Sequence, residues 1–226
     1  MTINEDILKN SVKAENQTKE KFKLVKNYEN GLNVLFLGNS ITLHEIAPDI
    51  GWHLNCGMAA SCVEKDYVHL VLKYLEDRVK NVNYCISNVG NWERNYFDDK
   101  IILEYENAKQ ICPDVTIIRL GENINLEKIN ELPLKPHLEK FCKFFKGSKH
   151  TIITDLFWHH DKVVKDITEI CNENGFIYCS IGDLGNDNDN KALGLFEHMG
   201  VALHPGDLGM QRIAERIIDK LKPLDL

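Results

Sequence analysis

Apolar positions along this chain form short continuous runs, and from Asn33 onward these runs alternate with spaced apolar stripes. The runs are rich in Val, Ile, Phe and Tyr and mostly lack polar alternation, which is typical of strands buried on both faces. They lie at 33–37, 82–89, 115–120, 150–157 and 176–181. Because helical stripes separate them, the pattern predicts a parallel sheet with helices on both faces.

The stripes place apolar side chains three or four residues apart, so that each set shares one helix face. The first two sets are Tyr67, Leu70, Val71, Tyr74 and Leu75, and then Ile101, Ile102, Tyr105, Ala108 and Ile111. A third helical stretch, 126–146, is predicted to break near Pro133 and Pro136, since proline interrupts a helix. Two further helices are predicted over 161–174 and from Asp207 onward.

Residues 1–31 lack an apolar stripe and carry many Lys, Glu and Asn, so we predict a polar N-terminal extension followed by one domain over 32–226. The 226 residues suit a single α/β domain. The start of the chain has no apolar signal region, and no apolar run is long enough to span a bilayer. We therefore expect a cytoplasmic protein without a membrane partner, unless a leader was removed.

The net charge and the cysteine content limit which partners, substrates and cellular compartments the sequence favours. The formal net charge is −7, which disfavours nucleic acid as a partner and fits a neutral or cationic small substrate. The seven cysteines are odd in number and include no Cys-x-x-Cys pair. This usage predicts buried free thiols in a reducing compartment.

One serine stands where a strand should end. The apolar run from Val34 stops at a glycine and is followed by Ser40, at the carboxyl edge where open α/β sheets place ligands. A serine hydroxyl needs a base and oxyanion donors before it can act as a nucleophile. The candidates are His204 in a Pro-Gly turn before the last helix, the Asn123 amide after the third strand run and the Gly90 backbone after the second.

Four motifs in chain order resemble the conserved blocks of the SGNH hydrolases, also called GDSL esterases and lipases. Segment 38–42 (Gly-Asn-Ser-Ile-Thr) resembles the nucleophile block, and Gly90 resembles the second-block glycine. Segment 121–123 (Gly-Glu-Asn) resembles the Gly-x-Asn block, and segment 204–207 (His-Pro-Gly-Asp) resembles the histidine block. The resemblance runs over about 34–218, nearly the whole chain.

This resemblance implies a fold and a reaction. The fold would be a three-layer α/β/α sandwich around a flavodoxin-like, five-stranded parallel sheet of order 2-1-3-4-5. Ser40 would be the nucleophile and His204 the base, with an oxyanion hole formed by the Ser40 and Gly90 N–H groups and the Asn123 amide. The activity implied is carboxylic ester hydrolysis without a metal or other cofactor.

The family pattern is broken at one position. The aspartate usually found three residues before the histidine is replaced by Val201, which cannot accept a hydrogen bond. Three substitutes are open: a backbone carbonyl, which would leave a Ser–His dyad, Glu197, or Asp207, although Asp207 is also placed to cap the last helix. Without a carboxylate partner we expect a slower enzyme or one that needs a higher pH.

The substrate is less constrained than the reaction. By analogy with the family we expect short acyl esters, such as acetyl groups on carbohydrates, and Trp158 is a candidate for substrate binding because aromatic rings suit sugars. Two alternatives are a thioesterase or lysophospholipase with a longer acyl pocket, and a degenerate hydrolase that only binds acylated glycans. Assembly into a homo-oligomer is left open.

Overall fold

A six-stranded sheet organises the part of the chain that the computed structural model describes, residues 22–226. In chain order its strands are β1 (Phe22–Val25), β2 (Leu32–Gly38), β3 (Val82–Asn88), β4 (Val115–Arg119), β5 (His150–Thr154) and β6 (Ile177–Cys179). Their order in the sheet is β1-β3-β2-β4-β5-β6. Strands β2 to β6 pair in parallel, so counted from β2 the predicted order 2-1-3-4-5 is confirmed.

The sixth strand was not expected. Strand β1 pairs antiparallel with β3 at the sheet edge, with Phe22 opposite Ser87 and Val25 opposite Tyr84. It lies inside the segment predicted to be a polar extension, and its two middle residues are exposed, so it forms no apolar run. The domain boundary at residue 32 stays a prediction, and residues 1–21 of the extension lie outside the described part.

Helices fill most of the connections. They are α1 (Tyr67–Val79), α2 (Gly90–Arg94), α3 (Leu134–Phe145), α4 (Asp161–Asn174), α5 (Met199–Ala202) and α6 (Asp207–Leu221). The predicted stripe at 101–111 is buried, but its backbone forms a 3-10 helix, Ile101–Ile111. Helix α3 begins directly after Pro133, where a break was predicted, whereas Pro136 lies in the first turn of α3 and does not interrupt it. Strand β5 ends at Thr154, three residues earlier than the apolar run indicated.

Two apolar layers flank the sheet, as the three-layer prediction requires. One layer packs Leu35 and Leu37 of β2 against the 3-10 helix and against α3 and α4. The other packs Val34 and Phe36 of β2 against α1 and α6. Alternate residues of one strand therefore serve opposite cores, because successive strand side chains point to opposite faces.

The sheet order brings three strand ends together. Strand β2 lies between β3 and β4, and the three strands end at Gly38, Asn88 and Arg119. Chain connections leave this point in opposite directions along the sheet, which makes it a topological switch point where α/β folds bind ligands. Within residues 22–226, none of the helices combines the length and the apolar character that a membrane crossing requires.

Candidate active site

The predicted nucleophile and base meet above the end of β2. Ser40 follows β2 by two residues, and its Oγ lies 2.8 Å from Nε2 of His204. The two residues are 164 positions apart in the chain. The distance is within hydrogen-bond range, as a serine nucleophile and its general base require.

A tight turn presents the serine. Gly38 must be glycine, because an added Cβ would overlap the Thr42 side chain and the Arg119 carbonyl of β4. After Asn39 the chain turns sharply, with the Thr42 N–H donating to the Asn39 carbonyl at 2.9 Å. The Ser40 carbonyl accepts the Met58 N–H at 2.8 Å, which braces the turn from the opposite loop.

The far side of the imidazole is held by backbone. Nδ1 of His204 lies 2.6 Å from the Gly200 carbonyl oxygen. A carbonyl accepts, so Nδ1 carries the proton and the Nε2 lone pair faces Ser40. The indole of Trp158 packs edge-on against the imidazole, with ring centroids 5.3 Å apart. The substrate-binding role given to Trp158 stays a prediction, while its contact with His204 steadies the base.

The carboxylates offered by the sequence lie elsewhere. Both carboxylate oxygens of Asp207 are engaged: they accept the Ser61 N–H at 2.8 Å, the Ser61 hydroxyl at 2.7 Å and the Lys65 ammonium at 2.7 Å. Asp207 does not cap α6 either, since Gly206 is the residue at that position. Glu197 is exposed, and the place of a carboxylate on the imidazole is taken by the Gly200 carbonyl. Of the three partners left open, the backbone carbonyl is the one in contact.

Burial controls the protonation of the base. It lowers the pKa of His204 to about 4, an effect that the hydrogen bond to the Gly200 carbonyl opposes and the positive charge of Arg119 reinforces. The imidazole is therefore neutral at pH 7 and can accept a proton from Ser40.

The three predicted oxyanion donors surround the same space. Ser40, Gly90, Asn123 and His204 all line one cavity of about 350 Å³. A Cβ placed on Gly90 would lie 3.6 Å from the Asn123 amide nitrogen, so the two donors are neighbours. The Gly90 N–H currently donates to the Asn88 side-chain oxygen at 2.9 Å. An oxyanion would have to displace that side chain or share this N–H with it.

A buried carboxylate fixes the Asn123 amide. The amide nitrogen donates to Glu93 at 2.5 Å, and the amide oxygen accepts from the Arg94 guanidinium at 3.1 Å. These two contacts fix the positions of the amide nitrogen and the amide oxygen of Asn123. They leave the second hydrogen of the amide nitrogen for a ligand. Glu93 also accepts the Gly121 N–H, at a position where φ is +132° and glycine is favoured.

A second buried layer supports Ser40 from below. The amide nitrogen of Asn39 donates to Glu93 at 3.1 Å and to Glu122 at 2.6 Å. Glu122 is paired with the buried Arg119 guanidinium and accepts the Phe157 N–H at 2.9 Å. Burial, together with the nearby charge of Glu122, raises the pKa of Glu93. The network ties the ends of β2, β4 and α2 together under Ser40.

Sequence reasoning missed this network and Arg94. Glu122 occupies the variable position of the Gly-x-Asn motif, and Glu93 and Arg94 lie on α2, a helix too short to give a periodic signal. Their partners are distant in the chain, with 83 positions between Asn39 and Glu122. The one available signal was the charged pair Glu93-Arg94, three and four residues after the second-block glycine. In residues 22–226 no cluster of three His, Cys, Asp or Glu side chains could hold a metal ion.

Comparisons with known proteins agree with this fold. No protein-family profile matches the chain, and no curated protein matches it. Among solved structures, it is similar to a two-domain esterase active on acetylated mannans, crystallised with mannopentaose, at 18% identity and TM-score 0.55, covering 87% of this chain and 52% of that one. The chain thus spans about half the length of that esterase.

Two further solved structures match this chain over their full length. A GDSL-like lipase from Bacteroides ovatus is 16% identical with TM-score 0.56, covering 87% of this chain and 100% of the other. A member of the lipolytic G-D-S-L family from Veillonella parvula is 14% identical with TM-score 0.52, covering 86% and 100%. The chain therefore has the SGNH/GDSL hydrolase fold.

Proposed function

We propose that this protein hydrolyses carboxylic esters, with Ser40 as nucleophile and His204 as general base. The observation that carries the proposal is the 2.8 Å contact between Ser40 Oγ and His204 Nε2 inside a cavity that Gly90 and Asn123 also line. The likeness to GDSL-type structures supports it through the fold.

The geometry defines the steps. As Ser40 Oγ bonds to the acyl carbon, His204 Nε2 takes the hydroxyl proton and the carbonyl oxygen becomes an oxyanion facing the Ser40 and Gly90 N–H groups and the Asn123 amide. The imidazolium then gives that proton to the leaving alcohol as the carbon–oxygen bond breaks. Water attacks the acyl-enzyme by the reverse route, with His204 again as base. The Gly200 carbonyl holds the ring throughout, so the reaction uses a dyad.

Short acyl esters of carbohydrates, acetyl esters in particular, are the substrates we infer. The cavity, about 350 Å³, is at the lower end of the range for small-molecule sites. The similar two-domain esterase is active on acetylated mannans. We place the enzyme in the cytoplasm, because seven free cysteines suit a reducing compartment.

The test combines a label with a substrate series. A fluorophosphonate probe should modify the wild-type protein and the control Ser148→Ala, an exposed serine that bonds to Asp114, and should not modify Ser40→Ala. Hydrolysis of p-nitrophenyl esters should be greatest for acetate and be lost in Ser40→Ala and His204→Ala.

Other outcomes would select the rival functions. A preference for acyl chains beyond eight carbons would favour the thioesterase or lysophospholipase hypothesis. A folded wild-type protein that neither takes the label nor cleaves any ester would overturn the hydrolase proposal and leave glycan binding.

A further inference from the structure

The cavity has a charge character opposite to that of the whole chain. The chain has 34 acidic and 27 basic residues, yet no Asp or Glu is among the described residues that line the cavity. Among these lining residues Arg94 is the only Lys or Arg. The sequence-based expectation of a neutral or cationic substrate follows the average charge of the chain, and this site departs from that average.

Arg94 is the fixed cation of the site. It is the last residue of α2, and its guanidinium donates to the Gly90 carbonyl at 2.9 Å and to the Asn123 amide oxygen at 3.1 Å. Both acceptors are uncharged oxygens. A guanidinium has five N–H donors, so these two bonds leave donors for a ligand.

The residue beside it does not neutralise this charge by direct pairing. The Glu93 carboxylate accepts three N–H groups, from Asn39, Gly121 and Asn123, and is buried beneath the cavity floor. Arg94 is exposed, with its bonds directed along the cavity wall. Within residues 22–226 no carboxylate pairs with Arg94, and a positive charge of this kind at the cavity wall favours an anionic ligand group.

The position of Arg94 places that ligand group close to the reaction. Asn123 receives Arg94 on its oxygen and offers its nitrogen to the oxyanion, so the guanidinium is separated from the reacting carbonyl by the width of one amide group. We propose that Arg94 binds a carboxylate carried by the ester substrate, so that the enzyme prefers acidic esters to matched neutral ones. The proposal rests on the proposed ester hydrolysis and names its substrate class.

The planar fork of arginine suits a carboxylate, to which it can donate two parallel hydrogen bonds. Two parts of a substrate could carry that carboxylate: the acyl group, as in a hemisuccinate, or the alcohol, as in an acetylated uronic acid. Both place a negative charge a few bonds from the scissile carbonyl, and separate substrate pairs distinguish them.

The test compares each acid with its methyl ester, so that size is matched and charge is not. For the acyl side the pair is mono-p-nitrophenyl succinate and its methyl ester, and for the alcohol side it is O-acetylated glucuronic acid and its methyl ester. The measured quantity is the ratio of kcat/KM for acid over neutral substrate at pH 7.5. Wild type should favour the acid in one of the two pairs.

Variants of Arg94 distinguish its proposed binding of the substrate carboxylate from its contact with the Asn123 amide. Arg94→Gln should lower the acid-to-neutral ratio by about tenfold or more, because a charge-assisted hydrogen bond is lost. Arg94→Lys should retain part of the preference, and Arg216→Gln, which removes an exposed cation paired with Asp183, should leave the ratio unchanged.

Two results would overturn this proposal alone. One is a wild-type ratio at or below one in both pairs while the neutral esters are cleaved by Ser40. The other is an equal loss on acid and neutral substrates in Arg94→Gln, which would show that Arg94 only holds Asn123 and Gly90. Absence of all ester cleavage would instead remove the proposed hydrolase function itself.

Discussion

The protonation of His204 sets the acid limit of the proposed reaction. Burial lowers its pKa to about 4, because the charged imidazolium loses more hydration than the neutral ring. As pH falls, the neutral base therefore persists until the pH approaches that value. The sequence-based expectation was a slower enzyme or one that needs a higher pH; the lowered pKa argues against the second alternative, and the first stays a prediction.

We predict that kcat/KM decreases on the acid side only at a pH far below the ordinary pKa of histidine. The kcat/KM for p-nitrophenyl acetate should stay level as pH falls from 7 and decrease only as it passes through about 4. Glu197→Gln should leave the profile in place, because the Gly200 carbonyl occupies the imidazole Nδ1. A limb centred near 6.5, or one moved by Glu197→Gln, would contradict this account.

We predict that Glu93 positions the Asn123 amide of the proposed oxyanion hole. Its carboxylate accepts N–H groups from Asn39, Gly121 and Asn123, and a glutamine can offer only one of its two end atoms as an acceptor. In Glu93→Gln an N–H must face another N–H, and the Asn123 amide should rotate or shift. We predict a fall in kcat of about 10- to 100-fold with KM little changed, since the amide acts in the transition state.

The matched control for this prediction is Glu215→Gln, a surface glutamate that accepts from Gln211. It should leave kcat and KM at wild-type values. Thermal unfolding of both variants separates local repositioning from loss of fold. Equal losses in kcat and in folded fraction, or no change in kcat, would show that Glu93 has no positioning role.

At the scale of elements, the start of α1 is coupled to the turn that carries Ser40. Asp66 is the N-cap of α1 and accepts the His69 N–H at 2.8 Å. Its other carboxylate oxygen accepts the Gly57 N–H at 3.1 Å, and the next residue, Met58, donates to the Ser40 carbonyl. One side chain thus caps a helix and fixes the loop that braces Ser40.

We predict that Asp66→Ala lowers the free energy of unfolding by about 1–3 kcal/mol, through loss of the cap and a buried Gly57 N–H without an acceptor. The control Asp77→Ala removes an exposed aspartate of the same helix, paired with Lys73 at 3.4 Å, and should cost about 0–0.5 kcal/mol. Urea unfolding measures both. Similar values for the two variants would show that the cap adds nothing beyond an exposed ion pair.

Elements with a clear hydrophobic pattern could be predicted from the sequence. Elements that form only through contacts with distant residues could not. The apolar runs that became β2 to β5 are mostly buried, so their composition alone marks them, whereas in β6 only Cys179 is fully buried. Strand β1 is four residues long with an exposed middle, and it becomes a strand only by pairing with β3. The five-residue helix α2, which carries Glu93 and Arg94, likewise has no period to detect.

At the scale of the whole molecule, the sequence predicted the site residues at the strand ends but not the residues that hold them in place. Ser40, Gly90 and Asn123 were predictable because each follows a strand, and a parallel sheet collects strand ends at one edge. A backbone carbonyl was one of the three partners left open for His204, but its identity as Gly200 could not be predicted, because a carbonyl has no side-chain signal. The buried network of Asn39 and its carboxylates also depends on tertiary packing that no local pattern encodes.

The seven cysteines report on the folded molecule as a whole. None forms a disulfide; Cys112 is exposed, Cys62 is half-buried, and the others, Cys56, Cys85, Cys142, Cys171 and Cys179, are buried. Burial raises the pKa of Cys56, Cys171 and Cys179 to about 12, so their reactive thiolate form is scarce at neutral pH. Exposed Cys112 departs from the expectation that all the thiols would be buried.

We therefore predict that a thiol reagent such as Ellman's modifies at most two cysteines in the native protein and all seven in denaturant without reductant, since five are buried and none is paired. Cys112→Ser should remove one fast-reacting thiol and leave the unfolding midpoint unchanged, because that side chain is exposed. Fewer than seven thiols in denaturant would reveal a disulfide. More than two fast-reacting thiols in the native protein would mean that the apolar clusters around the buried cysteines open far more readily than their burial indicates.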